Sequence, residues 1–216
     1  MGQIKEHICK YYDNGNLKES YNLNDDELLE GLSESWYENG RLKSRHFFKD
    51  GNADGLYENW YENGRQSRKL VFKNNMYDGL VEEWHENGLP KSICFYKNGE
   101  VNGTYKEWYD DGSLYQISNF KNDKLNGLVK AWYVNGQLKY RCNYVNDKFD
   151  GLYEYWDEKG NLIESTLYKD GEKIITSTSK DKIENKEMPS TDYANLIKDI
   201  INYINSAERY KENSKQ

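Results

Sequence analysis

The histidines and cysteines of this sequence are the side chains best suited to bind a metal or to act as nucleophiles. His7, His46 and His85 show no His-x-x-x-His spacing. Cys94 and Cys142 occupy one position of an internal repeat, at which another copy carries His46. Such variation is typical of a small packing position, not of a zinc ligand. No metal site is therefore expected.

The carboxylates and glycines also lack the arrangement of a catalytic site. The 37 Asp and Glu residues recur with the turns of the repeat and form no singular pair for acid–base work. The sequence has no Gly-x-x-x-x-Gly-Lys-Ser/Thr loop that could hold a phosphate. We therefore expect no catalytic residue and no cofactor, and we predict that the chain is not an enzyme.

The elements that carry these residues repeat every 24 residues. A glycine lies five residues before each tryptophan and another lies four residues after it. All six tryptophans of the chain follow this period: Trp36, Trp60, Trp84, Trp108, Trp132 and Trp156. Six copies in one frame indicate a repeat array over residues 31–171, preceded by a degenerate first copy in residues 1–30.

Each copy has the pattern of two strands and two tight turns. In one copy Leu56 and Trp60 share a face of the first strand, because side chains alternate along a strand. Asn63 and Gly64 then favour a tight turn. We assign the Leu and Trp positions, together with aromatic positions such as Phe72, to one face and expect the tryptophans to form the repeated structural core. The predicted fold is an all-β, elongated, twisted antiparallel meander of 24-residue β-hairpins.

The opposite face carries a ladder of tyrosines at the positions one residue after and three residues before tryptophan. Its members are Tyr37, Tyr57, Tyr61, Tyr105, Tyr109, Tyr133 and Tyr153. One interpretation is cross-strand pairing that stabilises the sheet. The other is a partner-binding face, because tyrosine offers rigid, amphipathic contact area. The two interpretations are compatible.

A resemblance to a known family rests on these hairpins. The segment 151–162, Gly-Leu-Tyr-Glu-Tyr-Trp-Asp-Glu-Lys-Gly-Asn-Leu, which closes on residues 167–171, resembles the MORN-repeat variant. More narrowly, residues 11–171 are similar to bacterial YwqK-type proteins, a family described as antitoxins of toxin–antitoxin systems. The resemblance implies a binding scaffold and supplies no catalytic residue.

The C-terminal region departs from the repeat. Residues 172–188 are polar and are predicted as a strand remnant and linker. Residues 189–210 are predicted as an amphipathic helix, because apolar residues recur there at helical spacing. The apolar positions are Tyr193, Leu196, Ile197, Ile200, Ile201, Ile204 and Ala207. The helix either covers the end or the apolar face of the sheet, or docks a partner or a second copy of the chain.

The net charge and the cysteine content limit the classes of partner and the compartment that we expect. The net charge of −7 argues against nucleic acid and against anionic membranes. Three scattered cysteines indicate no disulfide framework and favour the cytoplasm. We expect a non-enzymatic protein-binding module, an antitoxin or immunity protein that neutralises a basic toxin. The alternative is a general scaffold or membrane-associated adaptor.

Overall fold

The computed structural model describes residues 3–178, and these residues form one antiparallel sheet of 19 strands. The strands are β1 (Ile4–Tyr11), β2 (Leu17–Asn24), β3 (Gly31–Trp36), β4 (Leu42–Lys49), β5 (Asn52–Trp60), β6 (Gln66–Lys73), β7 (Met76–Tyr77), β8 (Gly79–Trp84), β9 (Pro90–Lys97), β10 (Glu100–Val101), β11 (Gly103–Trp108), β12 (Leu114–Lys121), β13 (Lys124–Leu125), β14 (Gly127–Trp132), β15 (Leu138–Val145), β16 (Lys148–Phe149), β17 (Gly151–Trp156), β18 (Leu162–Lys169) and β19 (Glu172–Thr178).

The strands follow one another as a meander. Each long strand pairs with the strands before and after it along the chain, while β1 and β19 pair on one side only within residues 3–178. The sheet is therefore open, and the predicted all-β meander of hairpin repeats is confirmed. The sequence predicts about fourteen strands. The larger number has two causes: β7, β10, β13 and β16 are two-residue strands separated by one residue from the strand that follows, and β19 is added after the last copy.

The turn after four of the six tryptophans is held by an asparagine that also contacts the next copy. The Asn63 Oδ1 atom accepts a hydrogen bond of 2.9 Å from the Arg65 backbone N–H, within its own turn. The Asn63 Nδ2 group donates to the backbone oxygen of Glu86, in the next copy, also at 2.9 Å. The same pair of bonds recurs at Asn39 and Asn135. One amide thus shapes the turn and stacks it on the following hairpin.

The turn between copies requires two consecutive residues with positive φ. Asn98 and Gly99 have φ angles of 52° and 85°, and Asn122 and Asp123 have 50° and 62°. Glycine, asparagine and aspartate tolerate this conformation best, which explains their recurrence at these positions. The second turn residue also donates its N–H to the preceding inter-copy segment, as Gly99 does to the Tyr77 oxygen at 2.8 Å.

A β-bulge lies directly before every tryptophan. In the hairpin of β8 and β9, Glu83 pairs with Ser92 but Trp84 pairs with Pro90, so that Lys91 is the extra residue. The same register shift occurs in the other five complete copies. Bulges bend a strand and increase its twist. A bend of this kind is therefore expected once in every complete copy.

The two faces of the sheet differ from the predicted assignment. Val81 pairs with Cys94, and paired side chains lie on the same side of an antiparallel sheet. We call the side that carries these two residues and their equivalents the ring face. The opposite side carries Leu80, Glu82 and Trp84, and we call it the tryptophan face. Arginines confirm this placement of the indoles, since the Arg45 guanidinium lies 5.9 Å from the Trp60 ring.

The most buried residues lie on the ring face. Of the seven buried apolar side chains, only Leu167 belongs to the tryptophan face; the other six are Leu70, Val81, Cys94, Val129, Ala131 and Cys142. The six tryptophans are half-buried. The prediction that the Leu and Trp positions form the core face is therefore wrong.

The prediction that Phe72 and its equivalents share a face with tryptophan is also wrong, because these rings lie on the ring face. Phe72 pairs with Gly55, and the next pair on this side joins Leu70 to Tyr57. Small side chains between large rings explain the burial. Phe72, Tyr77 and Tyr96 all pack against the cluster of Leu70, Val81 and Cys94, so the rings cover their smaller neighbours in a sheet of one layer.

The C-terminal predictions fall partly beyond the described residues. Glu172–Thr178 forms β19, which pairs with β18 and adds a full strand where a strand remnant is predicted. The predicted linker after residue 178 and the predicted helix 189–210 lie outside the described residues. Between residues 3 and 178 no helix is long and apolar enough to cross a membrane.

Candidate functional site

The tyrosines that directly follow tryptophan connect one hairpin to the next. The Tyr37 hydroxyl donates to the backbone oxygen of Trp60 at 2.8 Å, and Tyr61 donates to Trp84 at 2.7 Å. Tyr109 and Tyr133 repeat this bond at 2.9 Å to Trp132 and Trp156. Burial raises the pKa of Tyr37, Tyr61 and Tyr109, which keeps the donating proton in place. These hydroxyl groups therefore have a structural role, since each one links its hairpin to the next.

The tyrosines three residues before tryptophan belong to groups of packed rings on the ring face. Tyr57 stacks on His46 with ring centroids 4.0 Å apart and meets the edge of Phe72 at 5.5 Å. Tyr153 contacts Phe149 at 5.8 Å in the same way, and Tyr105 contacts Phe120 at 6.4 Å. All three tyrosines are half-buried. These contacts support the interpretation of the tyrosine ladder as cross-strand packing. Its role as a partner-binding face stays a prediction.

A row of exposed apolar side chains lies on the tryptophan face of the first three complete copies. It consists of the cross-strand pairs Leu32–Phe47, Leu56–Val71 and Leu80–Phe95. Phe47, Val71, Leu80 and Phe95 keep 37–44% of their surface accessible. We call these six residues the apolar row.

The apolar row is continuous because a glycine lies beside each step. A Cβ atom built on Gly55 would come within 3.0 Å of the Phe47 Cβ atom, and Gly55 has a φ of 122°. Only glycine leaves room for the phenyl ring here. In the fourth and fifth copies the equivalent pairs are Thr104–Asn119 and Leu128–Asn143. The sixth copy has the apolar pair Leu152–Leu167, but Leu167 is buried there, so the exposed row is confined to the first three copies.

The hairpins described above agree with a known family of repeats. The family described as MORN repeat variant matches residues 29–50, 77–98, 101–122, 125–146 and 149–170, which together make up about half of the chain. The chain belongs to the MORN repeat variant family. MORN repeats are typically modules that bind proteins or membranes. No curated protein matches the chain.

The MORN copy around Trp60 is absent from the matched segments but has the same structure. Strands β5 and β6 form the same hairpin, with the bulge between Asn59 and Trp60. The turn after it carries Asn74 and Asn75, both at positive φ, where the other complete copies have glycine or aspartate as the second residue. Six complete MORN-like hairpins are therefore present in the described chain.

A groove crosses the ring face at the N-terminal MORN copies. Ser33, Ser35 and Ser44 stand where other copies carry residues such as Tyr57, Val81 or Tyr140, so the ring stack is thin here. The space is lined by these serines and by His46 and Tyr57, and its two adjoining parts have volumes of about 380 and 360 Å³. The groove is polar and open.

The chemistry available in this groove is hydrogen bonding. Ser35 and Ser44 bond to each other at 2.6 Å, and neither bonds to His46. Burial lowers the pKa of His46, and the nearby Asn59 amide only partly offsets this effect. The His46 Nε2 and Asn59 Oδ1 atoms are buried without a hydrogen bond of normal geometry. A serine nucleophile needs a base within hydrogen-bond reach, and the groove does not provide one.

A Cys–His–Asn cluster near the N-terminus has no counterpart in the sequence-based predictions. The Cys9 Sγ atom lies 3.3 Å from His7 Nε2, and His7 Nδ1 lies 2.7 Å from Asn22 Oδ1. Ser20 Oγ is also 3.3 Å from His7 Nε2. The register of β1 on β2 brings these residues together, since His7 pairs with Asn22 and Cys9 pairs with Ser20. Cys9 is exposed, unlike Cys94 and Cys142.

The metal-ligating residue types are dispersed over the described hairpins. In the range 3–178 no three His, Cys, Asp or Glu side chains are placed to hold one metal ion. The buried Asp150 pairs with Lys169 at 2.7 Å, and the buried Glu30 accepts a hydrogen bond of 2.8 Å from the Asp50 backbone N–H. Burial raises the pKa of Glu83, but hydrogen bonds from Arg68 and Ser92 outweigh it, and the net shift is downward.

Proposed function

We propose that this chain is a cytoplasmic protein-binding module that neutralises a toxin by forming a complex with it. The observation that supports binding is the apolar row. Soluble proteins seldom expose contiguous apolar side chains without a partner for them. Phe47 and Phe95 are aromatic anchors of the kind that dominate binding energy at interfaces.

Charged residues beside the apolar row suit a partner with a basic surface. Next to the row on the same face, Glu34, Glu58 and Glu82 alternate with Arg45 and Lys69. The Arg45 side chain bonds Glu34 at 2.8 Å. The carboxylates exceed the cations in this rim, and the whole chain carries a net charge of −7. Complementary charge of this kind accelerates association.

The toxin as partner rests on the resemblance to YwqK-type antitoxins together with this surface. A non-catalytic repeat scaffold neutralises by occupying the toxin, so no reactive residue is needed. The decisive experiment is co-expression with the product of the adjacent gene. We expect suppression of toxicity and a complex that survives size-exclusion chromatography.

Two double variants locate the binding surface. Phe47→Asp/Phe95→Asp places charges in the apolar row and is expected to weaken the complex at least about tenfold, as expected for the loss of two anchors. Val134→Asp/Val145→Asp makes the same chemical change at exposed positions outside the row and is the control. Absence of any complex, or equal binding by both variants, contradicts the proposal. Salt-sensitive co-sedimentation with anionic liposomes would instead favour the membrane-associated adaptor.

A further inference from the structure

The second half of the tryptophan face has a different charge pattern from the first. Among the residues that pair at the middle of successive strands on this face, Lys106 lies between Ile93 and Ile117, and Lys130 lies between Ile117 and Arg141. Arg141 is bonded to Glu154. Within residues 3–178 neither lysine forms an ion pair. In the first three complete copies the equivalent positions from Glu34 to Glu82 alternate between acidic and basic residues. In the fourth and fifth copies they present Lys106 and Lys130, without an ion-pair partner among the described residues, on either side of Ile117.

Apolar surface accompanies these lysines. Ile117 is half-buried, and Leu128 is 43% exposed on the same face. A recess of about 140 Å³ lies between Trp84 and Trp108, with Ile93 in its lining. The surface therefore combines an apolar strip with cations at one side, which is the complement of an amphipathic helix with acidic residues along one flank.

The sequence of residues 189–210, which lie outside the described residues, has this complementary pattern. At 100° per residue its apolar stripe includes Ile197, Ile200 and Ile204, and Asp192 and Asp199 fall together on one flank of the stripe. Seven residues separate the two aspartates, or about 10.5 Å along a helix. Lys106 and Lys130 lie two strands apart, or about 9.6 Å. The two spacings match.

The reach of the chain is sufficient. From Thr178, the last residue of β19, to β12 the chain must cross five strand spacings, about 24 Å. Residues 179–188 can span about 33 Å when extended. A helix of 22 residues is about 33 Å long, but a six-residue strand such as β14 spans only about 20 Å. Such a helix therefore fits across the strands.

We propose that residues 189–210 dock as a helix across the tryptophan face of the fourth and fifth complete copies. Asp192 pairs with Lys130, and Asp199 pairs with Lys106. Ile197, which lies between the two pairs, covers Ile117. Ile200 and Ile204 extend to the edge of the third copy, where they cover Ile93 and enter the recess between Trp84 and Trp108. This placement leaves most of the apolar row free for a partner, so it does not depend on the proposed function.

Hydrogen–deuterium exchange of the full chain, read by mass spectrometry, tests this docking. We expect amides of residues 193–204 to exchange at least tenfold more slowly than an unstructured peptide. Lys106→Glu/Lys130→Glu and, separately, Asp192→Lys/Asp199→Lys are expected to abolish this protection. The four changes combined restore opposite charges and are expected to restore it.

The control variant is Lys97→Glu/Lys121→Glu, which changes the same charge at two exposed, equivalent positions near the turns. It is expected to keep the protection, and peptides of the sheet in the same data verify that every variant is folded. Three outcomes overturn the proposal: no protection in the unmodified chain, protection that persists in Lys106→Glu/Lys130→Glu, or failure of the combined variant to recover it. Protection that falls on tenfold dilution assigns the face to a second copy and also overturns it.

Discussion

At the scale of single residues, Cys9 differs from the other two cysteines in its surroundings. Cys9 is exposed and lies 3.3 Å from His7 Nε2, while Asn22 Oδ1 holds the other ring nitrogen of His7. A histidine oriented in this way can accept the thiol proton. Burial raises the pKa of Cys94, and it raises the pKa of Cys142 to about 11. The reactive thiolate is therefore disfavoured at both buried positions.

We predict that one thiol of the three reacts rapidly with iodoacetamide at neutral pH. Mass spectrometry of the alkylated peptides should identify it as Cys9, with Cys94 and Cys142 modified only in denaturant. His7→Gln removes the base and should slow alkylation of Cys9 by about three- to tenfold. Equal rates for all three thiols in the native chain, or an unchanged rate for Cys9 in His7→Gln, would contradict this prediction.

The Cys9 cluster also shows what the sequence conceals at this scale. Cys9 and His7 are two residues apart and belong to one strand face, but Asn22 joins them only through the register of β1 on β2. The degenerate first copy has no tryptophan, so the 24-residue frame gives no register for it. The buried thiols were predictable, because a position that accepts Cys, Ser, Thr and Leu in successive copies must be a packing position.

At the scale of the hairpin, stability depends on bonds between successive copies as much as on pairing within each one. The hydroxyl of Tyr109 donates to the Trp132 oxygen, and Asn63 donates to the Glu86 oxygen one hairpin further along. Both acceptors are backbone atoms, so the bond survives any side-chain change at the accepting position. His85 makes the equivalent bond through its ring nitrogen at 3.0 Å, which explains why histidine replaces tyrosine in one copy.

We predict that Tyr109→Phe lowers the free energy of unfolding by about 1–2 kcal/mol, because it removes one hydrogen bond and leaves a part-buried carbonyl unpaired. Urea denaturation followed by circular dichroism measures the change. Tyr11→Phe is the control, since the Tyr11 side chain is 62% exposed and should lose less than about 0.5 kcal/mol. Similar losses of unfolding free energy in the two variants would show that the hydrogen bond between hairpins contributes nothing to stability.

The hairpins themselves follow from the sequence, but the choice of buried face does not. Glycine and asparagine at fixed distances from tryptophan specify the two turns, and alternation places Leu56 and Trp60 together. The bulge before Trp60 has no such signature, because the extra residue of the partner strand looks like any other polar residue. Counting in twos from Leu42 without the bulge places Phe48 on the face of Trp36, whereas the pairing of Phe48 with Gly31 places it on the ring face.

At the scale of the whole molecule, the repeat makes the sheet uniform in geometry while its surface varies. Every complete copy repeats the same bulged hairpin. The tryptophan face, in contrast, changes from the apolar row in the first three copies to isolated lysines at Lys106 and Lys130. The 24-residue period predicts the uniform geometry, because every copy must stack on the next. The second property depends on residues that differ between copies, so it becomes visible only when the pairing of strands is known.

The uniform geometry has a consequence for the length of the array. Residues 103–126 comprise one complete period, and the junction Asn102–Gly103 is equivalent to Asn126–Gly127. Removing them should let β9 pair with β14 as it now pairs with β11, with every inter-copy bond re-formed. We predict a folded chain whose urea m-value is about one-seventh lower, since the m-value follows the surface exposed on unfolding.

Circular dichroism and urea denaturation of this deletion variant test the prediction, and removal of residues 103–114 alone is the control. The shorter deletion takes away β11 and its turn but leaves β12 from its second residue onward. The remaining strand must either run parallel to β9 or turn all later hairpins over, which would join their ring face to the tryptophan face of β9. It should therefore unfold at much lower urea. If the 24-residue deletion were as damaging as the 12-residue one, the copies would not be interchangeable units, and stability would depend on contacts beyond neighbouring hairpins.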